Sequence, residues 1–394
     1  MYLQIVQRIK ARYFTNMGRI RQFSTKILTL FLLSAFFAGM LQAQSVDLAK
    51  FKSLKLRNVG PAGMSGRVTS IEAVHANPEV IYIGTASGGI WKSNNGAISW
   101  KPIFDKQPIQ SIGAIAVAQQ NPDIVWAGTG EGNPRNSHSS GKGIYKSSDA
   151  GRTWKCMGLE NTKTIHRVII DPKDENIVYA AAMGSIWGPN KERGVFKTTN
   201  GGDTWENVLY INDTTGCADL IIDPSNPNKL FAAMWEYHRE PWFFTSGGKG
   251  SGLHMTLDGG KTWTKQGKAH GLPKSNLGRI GLAISPSSPN VVYALVESKN
   301  TALYRSDNGG FKWKKQADKD IGNRPFYYAD IFVDPMNENR LYNLWSMVSR
   351  SEDGGKTFKN IASWSKVHPD HHACLLYTSD AADDMQCVDL GGRR

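Results

Sequence analysis

Cysteine is scarce in this chain, with four in 394 residues. Two of them, Cys374 and Cys387, fall in a C-terminal stretch set apart below. Cys156 and Cys217 remain, too few for a disulfide framework, so two free thiols are the expectation and a single bridge the alternative. Helical periodicity is also missing. Beyond residue 43 no stretch sustains apolar residues at a 3.6-residue period, so essentially no helix is expected there. There is no phosphate-binding loop either: Ser246-Gly247-Gly248-Lys249-Gly250-Ser251-Gly252 is glycine-rich, but no Gly-Lys-Ser/Thr follows a strand and opens a helix. Cations exceed anions by 13, yet they are scattered among acids and form no basic stripe interleaved with aromatics. Nucleic acid is not expected as a partner, and no cofactor motif is present.

The two ends read differently from the middle. Arg8, Lys10, Arg12, Arg19, Arg21 and Lys26 form a basic leader without an acid. An apolar run follows from Ile27 to Leu41, and Leu41-Gln42-Ala43 reads as a signal-peptidase site. The run is about fifteen residues, short of the ~20 a spanning helix needs. Residues 1–43 are therefore read as a signal peptide with Met17 as the true start, and a membrane anchor is the alternative. The expected location is secreted, periplasmic or cell-surface, with no stable membrane span after cleavage. Residues 44–64 form a lead-in segment. At the other end, Cys374 to Asp384 and Val388 to Arg394 back-translate codon by codon onto sequencing adapters. Residues 374–394 are accordingly read as non-native text and left out of fold reasoning.

Between these ends one phrase recurs at intervals of about fifty residues, Ser/Thr-x-Asp/Asn-x-Gly-x-Thr-Trp. Its copies run Ser147 to Trp154, Thr198 to Trp205, Thr256 to Trp263, Ser306 to Trp313 and Ser351 to Phe358, with a degenerate first copy from Ser93 to Trp100. Around each copy the text parses into four short strands. In the first unit Gly66 to Val74, Val80 to Gly84, Ile90 to Ser93 and Ser99 to Ile103 are separated by Asn77-Pro78, Gly88-Gly89 and Asn95-Gly96 turns. Units of four antiparallel strands at this period predict an all-β propeller over residues 65–373. Its blades fall at about 65–104, 111–157, 164–209, 216–266, 277–316 and 326–362, and a seventh starts at 368–373 as part of a seven-bladed or larger ring.

The phrase sits between strands three and four. Its Asp or Asn can bond the turn's own amides, Gly supplies φ > 0, and the closing aromatic inserts between sheets. Asn in half the copies argues for a turn-maker rather than a catalytic carboxylate. Asn95, Asp149, Asn200, Asp258, Asn308 and Asp353 are read as structural, with calcium ligation by the aspartates as the alternative.

The phrase resembles the Asp boxes of BNR-repeat proteins, which include sialidases, xyloglucanase-type glycoside hydrolases, sortilin-type receptors and photosystem II assembly factors. The resemblance covers roughly residues 55–373. Arg57-Asn58-Val59-Gly60-Pro61, Ala86-Ser87-Gly88-Gly89-Ile90-Trp91-Lys92, Gly128-Thr129-Gly130-Glu131 and His368-Pro369-Asp370-His371-His372-Ala373 further resemble large secreted bacterial proteins, labelled sortilin N-terminal-like or BNR-repeat glycosyl hydrolase. The resemblance implies a seven-bladed or larger propeller that continues past this text. It does not settle activity, which resides in sites grafted on the fold. The arginine triad of a sialidase could come from Arg67, Arg167 and Arg279, but the Arg-Ile-Pro motif is absent. The xyloglucanase first-blade motif Tyr-x-Arg-Thr-Asp-x-Gly-Gly carries a catalytic Asp, and here Tyr82-Ile83-Gly84-Thr85-Ala86-Ser87-Gly88-Gly89 places Ala86 at that position. Hydrolysis by two carboxylates needs both.

Strand order sorts the loops by face. The phrases share one face with short stereotyped turns. The loops between strands two and three, and between blades, share the other and are long and rich in recognition residues. Candidate ligand-binding residues are Arg135 and His138 in the second unit, Trp187 and Arg193 in the third, and Trp235, Tyr237, His238, Arg239 and Trp242 in the fourth. Arg324, Tyr327 and Tyr328 follow in the lead into the sixth. Aromatics flanked by charge suit sugar rings or extended peptides; the competing reading packs these tryptophans against their own loops. Glu131, Glu236 and Asp330 are the candidate acids should the chain be a glycoside hydrolase. His368, Asp370, His371 and His372 form one metal-like cluster beside a reading as loop and strand start. The expected role is binding of a glycan or an extracellular or periplasmic protein by the long-loop face. Oligomeric state is not legible.

Overall fold

The computed structural model describes residues 67–322, 324–362, 367, 369 and 371–376. The signal-peptide and lead-in readings, His368, Asp370 and residues 377–394 lie outside them. Among the described residues six antiparallel sheets follow one another, each with its four blade strands in sequential order. Blade 1 is β1 (Val68–Val74), β2 (Asn77–Thr85), β3 (Ile90–Ser93) and β4 (Lys101–Pro102). Blade 2 is β5 (Ile112–Val117), β6 (Val125–Thr129), β7 (Ile144–Ser147) and β8 (Lys155–Cys156). Blade 3 is β9 (Ile165–Ile170), β10 (Val178–Ala182), β11 (Gly194–Thr198) and β12 (Glu206–Leu209). Blade 4 is β13 (Thr215–Ile222), β14 (Leu230–Arg239), β16 (Gly252–Thr256) and β17 (Thr264–Gln266), with β15 (Phe244–Ser246) added as a hairpin extension on β14. Blade 5 is β18 (Ile280–Ile284), β19 (Val292–Val296), β20 (Ala302–Ser306) and β21 (Lys314–Ala317). Blade 6 is β22 (Asp330–Asp334), β23 (Asn337–Leu344), β24 (Val348–Ser351) and β25 (Lys359–Asn360). This is the all-β propeller expected from the repeat. The one helical turn among the described strands is a 3-10 turn at Lys268–His270.

The core lies between blades rather than within them. Tyr82, Ile90 and Phe104 of blade 1 pack on Ile112, Ile115 and Val125 of blade 2. Trp126 and Ile144 then meet Ile165 and Val178. Tyr179 and Val195 meet Leu220 and Leu230, Phe231 and Leu253 meet Ile280 and Val292, and Tyr293 and Leu303 meet Ile331 and Leu341. A lone four-stranded blade leaves two apolar faces exposed, so stacking is what makes each one stable. On its other face blade 1 packs Ile81 and Ile83 against Leu375, and blade 6 packs Leu344 and Val348 against Cys374. Residues 374 and 375 thus lie on the outer faces of the first and last blades. Cys156 and Cys217, the two cysteines of the repeat region, are free thiols.

The repeated phrase explains its own residue types. In the second copy Ser147 Oγ donates to Asp149 Oδ1 (2.8 Å) and accepts from the Gly151 amide (2.8 Å). Asp149 Oδ1 accepts from the Thr153 amide (2.8 Å), and Oδ2 accepts from the Thr153 hydroxyl (2.6 Å). Where Asn replaces Asp the hydroxyl reverses its role: Asn200 Nδ2 donates to Thr204 Oγ1 (2.9 Å), and Asn200 Oδ1 still accepts from the Thr204 amide (3.0 Å). A Thr hydroxyl can donate or accept, so both residues close the same turn. The glycine is required because φ there is +83° to +100° in copies two to six. The closing Trp reaches the preceding blade, as Trp154 Nε1 donates to Ile103 O (2.9 Å) and Trp205 Nε1 to Met157 O (2.8 Å).

Candidate functional site

The first strand of every blade lines a central channel, and each begins at the long-loop face. The opening residues of these strands therefore converge at one mouth. Arg67 precedes β1, His166 and Arg167 open β9, Asp219 lies in β13, Arg279 precedes β18 and Asp330 opens β22. Below the mouth a cavity of about 360 Å³ is lined by Glu72, Ile115, His166, Arg167, Asp219 and His372, among others.

Charge at this mouth is organised around Arg167. Its Nε donates to Asp219 Oδ1 (2.9 Å) and its Nη2 to Asp330 Oδ1 (2.7 Å), so one guanidinium joins blades 3, 4 and 6. Burial opposes the charge, but the two carboxylates outweigh it and hold Arg167 above its ordinary range. Asp219 Oδ2 also accepts from the Leu282 amide (2.8 Å), which brings in blade 5. Burial still pushes the Asp219 carboxyl up against the pull of Arg167. Arg167 Nη1 and Arg279 Nη2 both lie against His166 Nε2, at 3.2 and 2.9 Å. Two guanidinium donors require an unprotonated Nε2, so His166 is neutral with its proton on Nδ1. Burial, with Arg167 and Arg279 beside it, puts its pKa well below the usual value. Gly132 makes room for the ring: a Cβ at that position would lie 1.9 Å from His166 Nδ1.

Arg67 holds the candidate acid Glu131 through Nε (2.8 Å) and Nη2, both on Oε1. Burial pushes the Glu131 carboxyl up, against the lowering pull of Arg67. His138 Nε2 donates to Glu131 O (2.6 Å), and burial lowers the imidazole pKa to about 4, so it stays neutral at physiological pH. Glu236 is elsewhere: its Oε2 accepts from the Gly250 amide (2.8 Å) beneath the glycine-rich loop. The three candidate acids thus form no pair. At the mouth Asp219 and Asp330 share Arg167 as a partner, and Asp219 is absent from the sequence-based candidates.

The ligand-binding candidates divide into buried and presented groups. Trp235 is fully buried, stacked on Tyr237 (4.4 Å, 15°), and donates to Ser246 Oγ (3.1 Å). Arg193 is buried and staples its own loop, donating to Met183 O (2.8 Å), Gly188 O (3.0 Å) and Asn190 Oδ1 (3.1 Å). Tyr237 donates to Met183 O (3.1 Å). These three pack loops down, and in this structure no polar atom of theirs is offered to a ligand. Trp187 and Trp242 are presented, at 39% and 79% exposure, with Phe243 at 46% beside Trp242. Trp242 and Phe243 occupy the tip of the β14–β15 hairpin, closed by the Glu240 amide donating to Phe243 O (2.9 Å). His238 pairs with Glu240 (3.0 Å). Arg135 donates to the Tyr327 hydroxyl (3.3 Å), and Arg324 is exposed over Phe326, Tyr327 and Tyr328. Tyr327 and Tyr328 are buried against His372, which stacks on Tyr328 (5.5 Å, 14°).

Of the metal-like cluster, His371 and His372 are described, and His372 is taken up by the two tyrosines. Among the described residues no group of three or more His, Cys, Asp or Glu is gathered to hold a metal ion. Sequence reasoning missed His166, Asp219 and Asn133, whose Oδ1 accepts from Arg279 (3.2 Å). The available signal was position: His166 stands at the start of a first strand, as Arg67, Arg167 and Arg279 do, and Asp219 lies within one.

A family model described as sortilin, neurotensin receptor 3, matches residues 141–272. Xyloglucanase Xgh74A of Acetivibrio thermocellus is 24% identical over 382 residues, covering 84% of this chain and 42% of the relative. The photosystem II assembly lipoprotein Ycf48 of Trichormus variabilis is 28% identical over 141 residues, covering 31% of this chain and 41% of the relative. The chain therefore spans less than half the length of these curated relatives. Among solved structures, an ancestral GH74 enzyme superposes with a TM-score of 0.54 at 20% identity, covering 75% of this chain and 38% of that one. YCF48 bound to D1 peptide superposes with a TM-score of 0.54 at 12% identity, covering 80% and 88%. Among the described residues no helix is long and apolar enough to cross a membrane. Six four-stranded blades, their Asp boxes and these similarities agree: the chain is a β-propeller of the BNR-repeat type, glycosyl hydrolase-like.

Proposed function

We propose that this propeller binds a glycan on its long-loop face, outside the cytoplasm. The observation that carries the reading is the pair of presented indoles, Trp187 and Trp242, on a rigid mouth. Trp242 is 79% exposed at the hairpin tip with Phe243 beside it, and an indole covers the apolar face of a sugar ring. The xyloglucanase relatives, named for a polysaccharide, support the substrate class. Binding without hydrolysis is favoured because Glu131 and Asp330 are each held by an arginine and Glu236 lies under a glycine loop. Ala86, at the position of the xyloglucanase acid, is buried and carries only a methyl group. A peptide ligand is the second reading, favoured by the similarity to YCF48 bound to D1 peptide.

A panel of soluble polysaccharides in affinity electrophoresis tests the proposal. Retardation by at least one polysaccharide is expected, weakened about tenfold or more by Trp187→Ala plus Trp242→Ala. Retardation by none of them, with capture of a protein independent of sugar, would sink it.

A further inference from the structure

We propose that the glycan bound here is a polyanion with carboxylates along its chain, tracked by a ladder of three arginines; this rests on the glycan-binding reading above. The ladder starts at the blade 4 hairpin, where the Arg239 guanidinium lies 5.3 Å over the Phe244 ring. Phe244 meets Phe326 at 5.2 Å. Arg324 lies over Phe326 (5.5 Å) and over Tyr327 (5.6 Å). Arg135, from the blade 2 insert, lies over the same Tyr327 ring at 5.9 Å. Cations and rings thus form one continuous series from blade 4, through the connection into blade 6, to blade 2. The two outer inserts also touch, as Asn136 Nδ2 donates to Pro241 O (3.4 Å).

The charge pattern points to the ligand. Nearby carboxylates are already engaged: Glu131 by Arg67, Asp219 and Asp330 by Arg167, and Glu240 by His238. Among the described residues no carboxylate lies within ion-pair distance of Arg135, Arg239 or Arg324. Arg239 Nε is buried without a hydrogen-bond partner. A guanidinium lying over a ring still carries N–H groups that a planar carboxylate can accept from, and Arg135 spends only Nη1 on the Tyr327 hydroxyl (3.3 Å). The Arg324 backbone is fixed, its carbonyl accepting from the Tyr327 (2.9 Å) and Tyr328 (3.0 Å) amides. Three such guanidinium groups in a row suit a chain that repeats its charge. A neutral glycan would bring no carboxylate to any of the three cations.

The test measures affinity for polygalacturonate, its methyl ester, xyloglucan, a sulfated galactan and polyglutamate. Polygalacturonate is expected to bind at least tenfold tighter than its methyl ester, and the preference should shrink as sodium chloride rises. The variant Arg135→Gln, Arg239→Gln, Arg324→Gln should bring polygalacturonate down to the level of the ester. Arg324→Gln alone, at an exposed position, should do so in part with an unchanged melting temperature. Equal binding of acid and ester, or a triple variant that keeps the preference, overturns the inference while leaving the glycan reading standing. Tighter binding of the sulfated galactan overturns the carboxylate assignment. Binding of polyglutamate with no polysaccharide bound overturns both readings.

Discussion

Arg167 donates to Asp330 at 2.7 Å although 163 residues separate them. That bond runs from the inner strand of blade 3 to that of blade 6, and the same guanidinium holds Asp219 of blade 4. Removing one partner of a buried charged group leaves the others uncompensated, which typically costs about 3–5 kcal/mol. Arg167→Gln is therefore expected to lower the urea midpoint sharply, and Asp219→Asn plus Asp330→Asn in the same chain should recover part of the loss. A single Arg167→Gln as stable as wild type would show that the hub contributes little.

The first Asp box contains a built-in defect. Ala97 stands where the later boxes have glycine and adopts φ +69°. An L-residue there costs about 1–2 kcal/mol, partly offset by the greater entropy glycine loses on folding. Ala97→Gly should raise stability by roughly 0.5–1 kcal/mol, read as a higher chemical-denaturation midpoint. The reverse change, Gly151→Ala at φ +88°, should lower it.

Acid should open the boxes that carry aspartate. Hydrogen bonds from Thr153 and Thr262 lower Asp149 and Asp258 to about 2, and Asp353 is also lowered to about 2, with Thr357 and Ser351 bonds overcoming burial. A depressed folded-state pKa contributes stability present above the unfolded value of about 3.9 and lost as pH falls toward 2. The triple variant Asp149→Asn, Asp258→Asn, Asp353→Asn should keep the fold, since Asn200 closes the same turn. Its melting temperature should fall less than that of wild type between pH 4 and pH 2. Parallel curves would refute this.

Glu72 in the channel carries the opposite sign. Burial raises its carboxyl to about 8, against the lowering bonds from the Ala73 backbone and Gln119. The folded state then favours the proton, and stability declines as pH rises from about 4 to 8. Glu72→Gln should melt higher than wild type at pH 8 and close to it at pH 4.

The propeller was legible because its repeat is local. Copies two to five of the Asp box each write their turn, glycine and interblade tryptophan within eight residues, and Thr153 or Thr204 can serve either Asp or Asn. The mouth was only partly legible because its bonds join positions far apart in sequence. Nothing near Trp235 in the text distinguishes it from Trp242, yet one packs on Tyr237 under Arg279 and the other caps a hairpin in solvent. Burial of that kind depends on which blade covers which loop. The pairing of Asp219 with Arg167 was hidden for the same reason, while the inner-strand arginines were visible by position.

On the proposed function, presented aromatics on the long-loop face bind glycan without cleaving it. Isothermal titration of the best-bound polysaccharide into wild type and into Trp187→Ala plus Trp242→Ala, with new reducing ends counted in the same samples, tests it most directly. The expected result is binding heat in wild type, its loss in the variant, and no new reducing ends in either. Full affinity in the variant, or reducing ends that disappear with Glu131→Gln, would contradict it.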